Sequence, residues 1–147
     1  LLNSGPLSRR IFRDRLRYPV SFFQGKGALE VDVVHGAFLM VDAGRFLTCG
    51  GYDENIFLYG EENVLAFKLR EHGWKTILLT GASYGHEGSS TISREHDPVA
   101  RQRMRQASEL YYYRQYLGIG RVRQLLAVLF QKLVLLETGL FLRDGKK

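Results

Sequence analysis

The stretch "EENVLAFKLREHGWKTILLT", Glu61 to Thr80, places a helix directly before a strand. Glu62, Leu65, Ala66 and Leu69 fall at i, i+3, i+4 and i+7, the spacing that lines one face of a helix. The helix is expected from about Glu61 to His72, with Gly73 ending it through the left-handed backbone that glycine adopts readily. Lys75 to Thr80 is short, apolar and bounded by turn residues, which reads as a strand. Two adjacent carboxylates, Glu61 and Glu62, stand at the helix front, where free backbone N–H groups and the macrodipole attract negative charge. They either complement that helix end or do chemistry from it.

Upstream, "LEVDVVHGAFLMVD" supplies a β-branched run, Val31 to Val41, interrupted at His35-Gly36, and two strand segments are expected there. Ala43 to Thr48 reads as a helical turn closed by Gly50-Gly51. The Arg-rich segment up to Pro19 is expected to form a short helix, followed by a loop at Gly25 and Gly27. Downstream, "GASYGHEGSSTISREH" is a polar loop that contains His86. Asp97 as N-cap and Pro98 at the first helical position open a further helix, which Gly118 closes. Strands and helices in this order point to an α/β unit with a helical appendage.

The chain has 147 residues, 45% of them hydrophobic and 24% charged, which suits a globular domain with a buried core. Its one cysteine, Cys49, allows no internal disulfide, so a reducing cytoplasm is the expected location. The formal charge of +6 points to an anionic partner. The chain lacks an initiating Met and a signal-like start, and is expected to begin inside a longer protein.

Four motifs follow one another: "VHGAFLMV", "CGGYDENIFLYGEEN", "REHGWKTILLT" and "SYGHEGSS", with "YYYRQYLG" beyond them. In order and spacing, from about Leu29 to Gly118, they resemble the C-terminal half of inverting family 2 glycosyltransferases. The resemblance is in particular to the bacterial rhamnosyltransferase-like enzymes that build cell-surface polysaccharides. The resemblance implies a partial GT-A domain, Rossmann-like and α/β, over residues 1–118, with an amphipathic helical tail over 119–147.

The implied activity is transfer of a sugar, rhamnose among the candidates, from a nucleotide-diphospho-sugar to a glycan or polyprenol-linked acceptor. Inversion requires a carboxylate that takes the acceptor's proton as it attacks the anomeric carbon. The resemblance places that base at Glu62, with Glu61 beside it. Two departures stand out: Glu62 replaces the usual Asp, and Val64 stands where a further acid is usual. His86 is implied as a ligand of Mn²⁺ or Mg²⁺, whose other ligands would lie upstream of this chain. The metal would neutralise the departing diphosphate. A loop histidine is otherwise a solvated residue. Gly36 and Ala37 are implied beside the donor and acceptor, or else relieve crowding in a core. Asp53 shapes the loop before Glu62 or makes a local turn. Arg94 contacts phosphate or belongs to a surface loop. Trp74 is expected to pack and Arg70 to be solvated.

In the tail, Leu125, Leu126, Leu129, Leu133 and Leu136 recur at helical spacing among basic residues. That pattern fits contact of 121–143 with an anionic membrane surface on the inner face of the plasma membrane, and equally a helix packed on its own domain or on another subunit. A spanning helix needs about 20 nearly uncharged residues, far more than the run Leu125 to Phe130 offers. Nucleic acid is disfavoured, because the arginines and tyrosines of 101–116 accompany no recognised binding motif. The alternative to an enzyme is a non-catalytic binding module derived from a transferase half.

Overall fold

The computed structural model describes residues 18–56, 58–85 and 96–144. In chain order the elements are α1 (Val20–Phe23), β1 (Ala28–Val31), α2 (Ala43–Thr48), α3 (Glu61–Glu71), β2 (Thr76–Leu79), α4 (Pro98–Gln115) and α5 (Arg121–Asp144). They divide into two compact units, one within Val20–Gly88 and one that carries α4 and α5.

In the first unit β1 and β2 pair antiparallel, with Ala28 opposite Leu79 and Val31 opposite Thr76. Alternation buries Leu29 and Val31 and leaves Ala28 and Glu30 outside. Glu30 reaches Lys75 at 2.7 Å across the open face. The ammonium gains both a hydrogen bond and a Coulomb partner there, and its pKa is raised. Helix α3 closes the inner face, burying Val64, Leu65 and Ala66. Cys49 and Ile56 complete the described core.

Local signals fix the helix ends in this unit. Asp42 accepts a hydrogen bond from the Arg45 N–H at 2.8 Å and so caps α2. Gly50 and Gly51, with φ of +78° and +57°, turn the chain away after it. Lys68 on α3 then donates to the Gly50 and Gly51 carbonyls at 3.3 and 2.9 Å, tying the turn to the helix.

In the second unit α4 and α5 fold back on each other as a helical hairpin. Asp97 caps α4 by accepting from the N–H groups of Val99 and Ala100 at 2.7 and 2.9 Å. Those bonds, the one from Ala100 foremost, hold its carboxyl below the ordinary range. Gly118, with φ of +55°, makes the turn while Leu117 and Ile119 donate back to the Tyr112 and Tyr113 carbonyls.

The expected Rossmann-like GT-A sheet is corrected. Among the described residues the sheet has two antiparallel strands and the chain is mostly helical. A Rossmann-like sheet needs parallel strands joined by crossovers. The two strand segments expected over Val31 to Val41 are corrected as well, because β1 ends at Val31, opposite the first residue of β2, which leaves 32–41 no ladder to join. The helix expected before Pro19 lies outside the described residues except at its last two positions.

Candidate functional site

Two places carry the residues that the sequence singles out or the fold exposes, one in each unit. The first is the start of α3. Tyr59 and Gly60 both take positive φ, +67° and +92°, and this left-handed pair turns the chain abruptly into the helix. Gly60 has no side chain to cap with, and its carbonyl accepts from Asn63 and Val64 as the first turn closes. Glu61 and Glu62 therefore occupy the first turn, where unpaired N–H groups and the macrodipole complement their charge.

The loop before α2 passes over these carboxylates. A Cβ built on Gly36 would lie 3.7 Å from Glu62 Oε2 and 3.9 Å from Glu61 Oε1. The structure thus brings together Gly36, Glu61 and Glu62, three of the residues named from the motifs. Ala37 sits in the same loop, its N–H donating to His35 Nδ1 at 3.1 Å. Glu61 Oε2 is shielded from solvent and accepts no hydrogen bond among the described residues. Asp53 makes a local turn, its Oδ1 accepting from the backbone and side-chain N–H groups of Asn55 at 2.9 Å. His86 and Arg94 lie outside the described residues.

Val64 resolves one departure from the motif. Its side chain has 0% exposure, on the inward face of α3. An acid at that position would be an unpaired buried charge, so the valine belongs to the core. Trp74 packs as expected, half-buried, with His72 stacked at 5.0 Å and the Arg45 guanidinium 5.6 Å over its ring.

The second place is the hairpin of α4 and α5, where the polarity is inverted. Between the helices lie Gln102, Gln106 and Gln131, all buried. Gln106 donates through Nε2 to the Gln131 carbonyl at 2.8 Å, and Gln131 returns the bond to the Gln106 carbonyl at 3.1 Å. Outside lie Val122, Leu125, Leu126, Leu129, Leu133, Leu136 and Leu140, each between 49% and 72% exposed. An open apolar groove of about 650 Å³ runs beside them, lined by Tyr113, Leu117, Phe130 and three of the leucines. Burial, with Glu109 nearby, pushes the Tyr113 hydroxyl up to about 12.

The metal-dependent glycosyltransferase reading is corrected here, and with it the polysaccharide-building role and the assignment of Glu62 as its base. Among the described residues no three His, Cys, Asp or Glu side chains are grouped to hold Mn²⁺ or Mg²⁺. The antiparallel pair of strands also lacks the parallel strand ends at which such folds bind a nucleotide. No helix among the described residues is long and apolar enough to cross a membrane. No protein-family model matches the sequence, and no curated protein or solved structure is significantly similar to it.

The motifs drew attention to the carboxylates and away from the glutamines. Yet Gln124, Gln131 and Thr138 recur every seven residues, as do Leu126, Leu133 and Leu140. Two interleaved seven-residue periods, one polar and one apolar, were the available signal for a helix with two working faces.

Proposed function

We propose that this chain is a non-catalytic interaction module whose contact surface is the outer face of α5, and that this face docks another helix. The observation that supports it is the inversion just described: α5 keeps its glutamines inside and its leucines outside. A contiguous apolar stripe on a helix is costly to leave in water and marks a contact surface. The order of motifs over 29–118 supports descent from a transferase half whose chemistry has lapsed, and Val64 in the core fits that history.

The reading is tested in two ways. Incubation with Mn²⁺ and a panel of nucleotide-diphospho-sugars is expected to release no nucleoside diphosphate. Turnover that disappears in Glu62→Gln would overturn the non-catalytic reading. Hydroxyl-radical footprinting at high dilution is expected to modify Leu129, Leu133 and Leu136. Leucines protected at every dilution would mean that the stripe is covered within the chain, and the contact surface would fall.

A further inference from the structure

The stripe on α5 has the geometry of a coiled-coil seam. Leu126, Leu133 and Leu140 take one core position of the heptad, a, and Val122, Leu129 and Leu136 take the other, d. The seam is continuous from 122 to 140, without a polar residue at a or d. The buried Gln131 and half-buried Gln124 and Thr138 fall at f, on the opposite side of the helix, and Gln131 there is bonded to Gln106 of α4. Helix α4 therefore packs against the back of α5 and leaves the seam open.

The edges of the seam select the occupant. Lys132, exposed, lies at g, and Glu137, half-buried, lies at e. In a parallel pair of identical helices a g residue meets the e residue of the next heptad in the partner, and such pairs set partner choice and orientation. Two copies of α5 side by side bring Lys132 of each against Glu137 of the other. An antiparallel pair with the seams fully overlapped would instead set the two Lys132 ammonium groups together at the dyad. The stripe also carries charge at its edges, Arg123 and Glu137 at e and Lys132 at g beside the apolar Leu125 and Phe130, whereas a helix lying in a lipid interface holds its charges on the far side. The groove lined by Tyr113, Leu117 and Phe130 offers room beside the seam for the partner's leucines.

We infer that the occupant of this face is a second copy of the chain, with the two α5 helices paired in parallel as a short coiled coil that α4 backs on either side. The inference rests on the contact surface proposed above and adds the partner and its orientation.

The test combines light scattering after gel filtration with footprinting along a dilution series of the full chain. A mass twice the 16.8 kDa of one chain, with Leu129 and Leu133 protected only in the dimer, is expected. Leu129→Lys/Leu133→Lys should be monomeric with unchanged helix content by circular dichroism. Lys132→Glu should weaken association about three- to tenfold by opposing like charges, and Lys132→Glu/Glu137→Lys should restore it. A charge swap that fails to restore pairing while the single variant weakens it overturns the parallel arrangement. A monomer with reactive leucines overturns self-association yet spares the contact surface. Flotation of that monomer with vesicles of phosphatidylcholine and phosphatidylserine, lost in the Leu129→Lys/Leu133→Lys variant, would assign the face to lipid instead. A monomer with protected leucines overturns both proposals.

Discussion

The two units solve the problem of burial in opposite ways. The unit of β1, β2 and α3 keeps Val64, Leu65, Leu29 and Val31 inside and its carboxylates at the edge. The hairpin of α4 and α5 keeps glutamines inside and turns its leucines outward. The first arrangement buries one face of β1 and of α3 within its own chain, while Ile77 and Leu79 of β2 stay exposed. The second leaves seven large apolar side chains of α5 in water, so it makes energetic sense as one side of a contact. Burial of Gln106 and Gln131 is tolerated because the amide of each is paired with a backbone carbonyl of the facing helix, whereas Gln102 Nε2 is buried without a hydrogen bond among the described residues.

The same substitution placed in each unit tests this contrast most sharply. Val64→Asp buries an unpaired charge and should lower stability by on the order of 3 kcal/mol or more, read from the urea midpoint. Leu133→Asp, on the outer face, should change the stability of the diluted monomer by no more than about 0.5 kcal/mol. Comparable losses at the two positions would break the comparison, because they would place Leu133 in a core.

The polar seam gives the next largest effect. Gln131→Ala removes the donor to the Gln106 carbonyl and opens a gap between the helices, and should cost about 1–3 kcal/mol. Gln106→Leu/Gln131→Leu removes both donors, fills the gap with apolar groups and should recover part of that loss, because the two carbonyls left behind lie within helices whose own N–H groups pair them. A double variant as damaged as the single one would mean that the bonds to the facing carbonyls, and not the filling of the space between the helices, hold the hairpin.

A smaller effect is read by pH. Tyr113 keeps its proton to about 12 in the folded chain, against 10.0 for the free group. Between these values the unfolded chain has lost a proton that the folded chain retains, so stability falls as pH rises from 10 towards 12. Partial solvation of the ring keeps the loss modest. The phenolate absorbance should appear late, and Tyr113→Phe should flatten the alkaline limb of the stability curve. At the acid end Asp97 acts in the reverse sense. Its depressed carboxyl stabilises α4 above the ordinary value of 3.8, and that help is lost as pH falls through the lower folded value. Asp97→Ala should fray the first turn of α4, a loss of helical signal smaller than any of the others.

How much of this was legible in the sequence depended on the range of the interaction. Ala43–Thr48, the start of α3 and the Asp97-Pro98 opening of α4 were legible because caps, glycines and apolar spacing act within a few residues. The strand expected past Val31 was not, since β-branched residues express their preference only beside a partner strand, and β2 offers four positions. Parallel or antiparallel pairing is likewise a long-range matter, and the α/β expectation failed on it. At the candidate site the approach of Gly36 to Glu61 and Glu62 is a long-range contact that no local pattern announces. Val64, which stands where the motif usually has an acid, is explained only by where α3 points it, and that was not legible locally.

The reciprocal bonds of Gln106 and Gln131 also make the hairpin self-reporting. Each side-chain amide places one N–H on the carbonyl of the facing helix, in a seam closed to water. Those hydrogens can exchange with solvent only when the two helices part. Two carboxamide resonances, followed over time in deuterated water, would therefore clock the opening of the hairpin without any label added to the chain.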